Sequence, residues 1–164
     1  MAKKLNTVTE SNPNWENDLL KQLKRLEKNA VAVGIHADAG AHKESDGSTV
    51  AEIGFYNEYG TSKIPERSFM RSTLKEKIKQ YQAELAKVAR SAINKPSSVR
   101  VNMGKVGQMV SNDIQNKIVS LRTPPNAEIT IAKKRTTNPL IDTGQMVNSI
   151  KWKYLKDKVT KADD

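Results

Sequence analysis

The apolar positions of this chain follow two periods, one helical and one extended. Trp15, Leu19, Leu23 and Leu26 recur at steps of four, four and three, and Leu20 widens the stripe. That spacing predicts an amphipathic helix over residues 13–28, with core packing as the expected role of its apolar face. Asn12 stands where a capping side chain is wanted, and Pro13 fits the first helical position, where its missing N–H is not needed. From residue 30 to residue 37 the period drops to two. Val31, Val33 and Ile35 alternate with Ala32, Gly34 and His36, which predicts a half-buried strand whose small face lets a helix lie close. Thr49-Val-Ala-Glu52 has the spacing of a capping box, with Ser48 as a competing cap. Ala51, Ile53, Phe55, Tyr56 and Tyr59 then make a short helix with aromatic flanks. Gly60 ends it, where a left-handed conformation is expected.

Ile64-Pro65 turns the chain, and Glu66-Arg67-Ser68 leads into a long helix over residues 68–94. Phe69, Leu74, Ile78, Tyr81, Leu85, Val88 and Ala92 are its apolar stripe. Lys95-Pro96-Ser97-Ser98 is a break. A second long helix follows over residues 99–121, through Val101, Val106, Met109, Val110, Ile114, Ile118 and Leu121. Gly104 and Gly107 weaken its start. The pair predicts a helical hairpin or one bent helix. Residues 127–135 read as a short strand or as a single helical turn. Ile129 and Ile131 alternate, while Lys133-Lys134-Arg135 makes the stretch strongly basic. Asp142 or Thr143 can cap a short helix through Met146 and Val147. Ile150, Trp152 and Tyr154 alternate with Lys151, Lys153 and Leu155, a second strand able to pair with residues 31–35. The elements predict an α+β fold, a small antiparallel sheet packed against several helices with a long central helical hairpin. With 164 residues the expectation is one assembly domain over residues 12–155, large enough to bury a core. Residues 1–11 and the charged residues 156–164 are expected to be flexible tails.

Composition adds a lean core. Apolar residues are 37% of the chain, below the ~45–50% of an average globular domain. The formal charge is +10, and it is unevenly spread. Residues 31–66 carry 2 basic and 6 acidic side chains, and residues 67–122 carry 12 basic and 3 acidic. An acidic segment followed by a basic one suits head-to-tail assembly of copies. It also suits a basic surface that meets nucleic acid, and a solvated surface is the plain alternative. Arg71, Lys75, Lys79, Lys133, Lys134 and Arg135 are the candidate DNA-facing cations, able to track phosphates without reading bases.

The chemistry of an enzyme is sparse. There is no cysteine, hence no disulfide framework and no Cys-based metal or redox site. No phosphate-cradling glycine loop and no Gly-x-Ser-x-Gly elbow occur. His36, Asp38, His42, Glu44 and Asp46 gather both histidines with three carboxylates. A zinc or manganese site serving a metal-dependent hydrolase is one reading of that loop, but the spacing matches no metal signature, and a surface loop is the other. The expectation is no enzyme and no cofactor. Residues 1–7 lack an apolar signal-peptide core, and no apolar run approaches the ~20 residues of a membrane span.

Two segments carry a resemblance. Ile53-Gly-Phe-Tyr-Asn-Glu-Tyr-Gly-Thr61 with Ile64-Pro-Glu-Arg-Ser-Phe-Met-Arg71, and Asn138-Pro-Leu-Ile-Asp-Thr-Gly-Gln-Met-Val-Asn-Ser-Ile150, resemble two motifs of the tailed-bacteriophage virion-morphogenesis proteins, minor tail components of tail completion or the neck. Their order and the helical region between them also agree, over roughly residues 30–155. Met146 departs from the usual leucine, and Ser68 stands where a second proline is common. The resemblance implies a non-enzymatic virion part, made in the host cytoplasm. It would assemble with copies of itself and with connector and tail proteins, as a ring around the DNA channel at the head–tail joint. The residues that carry the motif here are Glu58, Tyr59, Gly60, Thr61, Pro65, Arg67, Phe69, Asp142, Thr143 and Gly144. Architectural roles are expected for them: Gly60 ends a helix, Pro65 fixes a turn, Arg67 pairs with Glu58 or Asp142, and Phe69 anchors the long helix.

Overall fold

The computed structural model of the protein describes residues 14–42, 47–133 and 136–155. The expected cap at Asn12 and Pro13 and both expected tails lie outside the described residues. Within them the chain is a mostly helical α+β fold, with six α-helices and a two-stranded antiparallel sheet. The helices are α1 (Trp15–Lys28), α2 (Val50–Tyr59), α3 (Met70–Asn94), α4 (Val99–Ser120), α5 (Glu128–Lys133) and α6 (Gln145–Ser149). The strands are β1 (Val31–Ile35) and β2 (Ile150–Tyr154). They pair as the alternation predicts, with Val31 opposite Tyr154, Val33 opposite Trp152 and Ile35 opposite Ile150. Residues facing each other across a ladder share one face, so the large side chains of both strands point to the same side.

That side is covered by α4, and the two glycines of α4 explain how. A Cβ at Gly104 would stand 2.8 Å from the Tyr154 hydroxyl and 2.9 Å from the Trp152 ring, and one at Gly107 would stand 3.0 Å from that ring. The glycines cost helix propensity and allow the indole to lie against the backbone. Trp152 Nε1 donates to Gln108 Oε1 at 3.1 Å, and the Tyr154 hydroxyl donates to the Arg100 carbonyl at 2.6 Å. The break at Pro96–Ser98 is a 3-10 turn that folds α4 back beside α3, which settles the hairpin against the single bent helix. Asp113 on α4 ties the hairpin together by accepting from Lys77 and from the Tyr81 hydroxyl. Burial, and then this bond to Asp113, push the Tyr81 hydroxyl above its ordinary pKa.

Two apolar clusters result. Val50, Phe69, Ile114, Ile118, Leu140, Met146 and Ile150 form the larger, where α2, α4, α6 and β2 meet. Val88, Ala92, Val99 and Val106 form the smaller, at the closed end of the hairpin. The stripe of α1 departs from expectation. No residue of α1 is buried, and Trp15, Leu19, Leu20 and Leu23 are exposed, Trp15 by 58%. Only Leu26 joins a cluster, half-buried against the smaller one. The expected stripe of α3 is split in the same way. Tyr81, Val88 and Ala92 are buried, whereas Leu74, Ile78 and Leu85 are exposed. α3 packs one face on α4 and meets α1 beside it, and Leu74, Ile78 and Leu85 stay exposed. No helix among the described residues is long and apolar enough to cross a membrane.

Candidate functional site

The first motif folds into an elbow between α2 and α3, and Glu58 is its centre. Thr49 opens α2 with the expected capping box: its hydroxyl accepts from the Glu52 N–H at 3.2 Å, and the Glu52 carboxylate accepts from the Thr49 N–H at 2.7 Å. Those bonds hold Glu52 below its ordinary pKa. Two turns on, Glu58 is 4% exposed and points at the start of α3. Its carboxylate accepts from the backbone N–H groups of Phe69, Met70 and Arg71 at 2.8, 2.8 and 2.9 Å, and from the Ser68 hydroxyl at 3.0 Å. A helix start leaves its first N–H groups without intrahelical partners. Here a side chain from the preceding helix supplies them, with a negative charge at the positive end of the helix dipole. No capping side chain precedes α3 in sequence.

Arg71 locks the same carboxylate from outside. Its Nε donates to Glu58 at 3.1 Å, its Nη2 to the Glu58 carbonyl and to Glu66, each at 2.8 Å, and its guanidinium lies 4.4 Å from the centre of the Tyr59 ring. Tyr59 is exposed, and its ring centre is 4.8 Å from that of Phe55, which is exposed as well.

The chain between the two helices is fixed residue by residue. Gly60 has φ 73° and ψ 172°. The positive φ is as expected, but ψ places it in an extended region open essentially to glycine, because the chain leaves α2 straight for the turn instead of curling once more. A Cβ there would meet the Glu66 nitrogen at 2.9 Å and the Ile64 carbonyl at 3.0 Å. The Thr61 hydroxyl accepts from the N–H groups of Lys63 and Ile64, and its own N–H donates to the Ile64 carbonyl. Pro65 follows that turn, and Phe69 is fully buried in the larger cluster.

Arg67 pairs with neither Glu58 nor Asp142. It is 4% exposed. Its Nε donates to the Pro124 carbonyl at 2.8 Å, its Nη2 to the Pro125 carbonyl at 2.9 Å and the Asn126 side chain at 3.0 Å, and its Nη1 to Asn57 at 3.2 Å. The planar five-donor fork suits this ring of oxygens. Burial lowers its pKa from the ordinary value, yet a guanidinium keeps its proton in proteins. Glu58 is turned to the α3 start and Asp142 lies exposed, so the loop after α4 takes the arginine.

The second motif lies beneath the elbow. Leu140 and Met146 join the cluster that holds Phe69. The cap of α6 is not a carboxylate: Gly144, with φ 77°, occupies the cap position, and the Thr143 hydroxyl accepts from the Gln145 N–H at 3.3 Å. Asn138 was missed as a structural residue. It is buried, its amide donates to the Ile118 and Val119 carbonyls at 3.0 Å each, and its oxygen accepts from the N–H groups of Leu140 and Ile141. The signal was the Asn-Pro pair, where a short amide side chain favours a turn.

The remaining candidates do not gather. Lys75 and Lys79 are exposed on α3 and Lys133 on α5, while Lys134 and Arg135 lie outside the described residues. Arg71 is committed to Glu58, Glu66 and Tyr59. In the histidine loop Asp38 accepts from Lys153 at 2.6 Å, which holds its pKa low, and His36 lies 3.1 Å from the Lys151 carbonyl. Among the described residues no three His, Asp or Glu side chains gather as metal ligands. Glu44 and Asp46 lie outside the described residues. No family model, curated protein or solved structure matches the chain.

Proposed function

We propose that this chain is a structural virion component of a tailed phage, a tail-completion or neck protein that assembles with copies of itself, as a ring, at the head–tail joint around the DNA channel. The reading starts from the resemblance of residues 53–71 and 138–150 to the virion-morphogenesis family. The observation that carries it is the apolar surface the isolated chain leaves bare, Trp15, Leu19, Leu20 and Leu23 on α1 with Leu74, Ile78 and Leu85 on α3. Large apolar side chains left exposed on two helices that pack against each other favour an interaction site. The motif residues support the same reading. Their bonds stiffen the elbow and hold Phe55 and Tyr59 outward beside Arg71, the aromatic and arginine chemistry of interface anchors. The reading is non-enzymatic.

The test is the virion. Electron microscopy of the neck should place the protein there as a ring, and purified protein should grow in size with concentration. Virions lacking the protein that join heads to tails normally would end the reading. Duplex-DNA binding as the primary function has less support. The engagement of Arg71 leaves Lys75 and Lys79 as the α3 cations one turn apart.

A further inference from the structure

Among the described residues β1 has one hydrogen-bonded neighbour, β2. The Leu155 N–H donates to the Ala30 carbonyl at 2.8 Å, and that bond sets the phase of the ladder. Alternate residues 30, 32 and 34 turn their amide groups to β2, so Val31 and Val33 turn theirs to the opposite edge. Among the described residues no hydrogen bond reaches that edge. Beside it runs a cleft of about 310 Å³, lined by Val33, Ile35, Phe55, Tyr59, Met70 and Arg71. An unpaired strand edge next to exposed aromatic side chains is a template for one more strand.

The chain also carries a segment with strand chemistry and no strand partner. Ile129, Thr130 and Ile131 are consecutive β-branched residues in period-two alternation, the composition strands favour. In the isolated chain they form α5, six residues with none buried, and Ile129 is 69% exposed. Helices shorter than ~12–15 residues are marginal in water without packing, so α5 is held weakly.

We propose that residues 127–132 of one copy add as a strand to the free edge of β1 in the next, with the side chains of Ile129 and Ile131 in the Phe55–Tyr59–Met70 cleft. This rests on the assembly reading above and names its contact. Charge favours the match: residues 31–66 carry 2 basic and 6 acidic side chains, and residues 123–135 carry 3 basic and 1 acidic. Geometry favours a second copy over the same one. The segment is tied down on both sides, by Arg67 at Pro124, Pro125 and Asn126 and by Asn138 at the carbonyls of Ile118 and Val119. Asn57, which bonds Arg67, projects about 160° around α2 from both Phe55 and Tyr59 at ~100° per residue. Donor segment and acceptor edge thus sit on different faces. A contact between unlike faces is head-to-tail, and repeated it closes a ring or extends a filament.

The chain has no cysteine, so single introduced thiols report the contact. Phe55→Cys protein mixed with Ile131→Cys protein should give a disulfide-linked heterodimer on mild oxidation, in excess of either homodimer. Ile129→Asp with Ile131→Asp should weaken self-association about tenfold or more while leaving circular dichroism unchanged, since both side chains are exposed. Ile129→Val with Ile131→Val should restore association. Normal association of the aspartate variant, without the mixed disulfide, would overturn this contact and leave the assembly reading standing. A wild-type chain that stays monomeric and is absent from virions would remove both.

Discussion

Glu58 replaces a local helix cap with a tertiary one, so its loss should be felt in two elements at once. Glu58→Ala leaves three N–H groups at the start of α3, that of Phe69 buried and the other two partly so, and the Arg71 guanidinium without their acceptor. The expected loss is about 3 kcal/mol or more, the scale of a broken buried charged network. Glu58→Gln keeps one acceptor oxygen and should lose about half as much, and urea denaturation separates the two. Arg67 gives a sharper contrast. Lysine preserves its charge but not its fork, so Arg67→Lys should cost about 2 kcal/mol by leaving carbonyls of the Pro124–Pro125 loop unbonded. Were charge alone at stake, the lysine variant would denature like wild type. The sequence marked both residues, but their partners were hidden. Asn126 is remote along the chain from Arg67, and no local pattern says which loop returns to a given side chain.

At the level of elements, short-range signals were legible. The capping box at Thr49 and Glu52, the period-two runs of both strands and the proline break after Lys95 each depend on neighbours within a few residues. The capping box also makes a pH prediction. The folded pKa of Glu52 is depressed from 4.5. Its contribution is therefore present above the unfolded value and lost as pH falls through the lower folded one. Glu52→Gln should be less stable than wild type near pH 7, and the gap should close as pH falls below the ordinary carboxylate range and through the lowered folded value. Thermal melts across that range would show it. What the sequence could not convey was the reason for the glycines of α4, because Trp152 lies on a strand from the far end of the chain. Gly107→Ala improves helix propensity by about 1 kcal/mol, but pushes a methyl into the indole 3.0 Å away. Overpacking costs about 1–3 kcal/mol, so the variant should be less stable on balance. A stabilised Gly107→Ala protein would mean that the indole shifts freely.

For the molecule as a whole, the question is where the apolar surface of α1 belongs. Amphipathic spacing shows that a helix has an apolar face but not which surface covers it, and this is why the stripe read as core. Leu26 touches the cluster of Val88 and Ala92, while Leu19 and Leu23 lie exposed on the same helix. The two positions separate folding from assembly. Leu26→Ala removes buried contacts and should lower stability, by about 1–2 kcal/mol for a half-buried leucine. Leu19→Glu with Leu23→Glu changes exposed positions and should alter the stability of the monomer by under about 1 kcal/mol. If α1 completes an interface between copies, that double variant should stay monomeric at concentrations where wild type and Leu26→Ala associate, by sedimentation and by microscopy of the joint. If Leu19 and Leu23 instead close onto the same chain's α3, which α1 already meets through Leu26, the double variant should lose stability, and at dilutions where wild type is monomeric denaturation distinguishes the two.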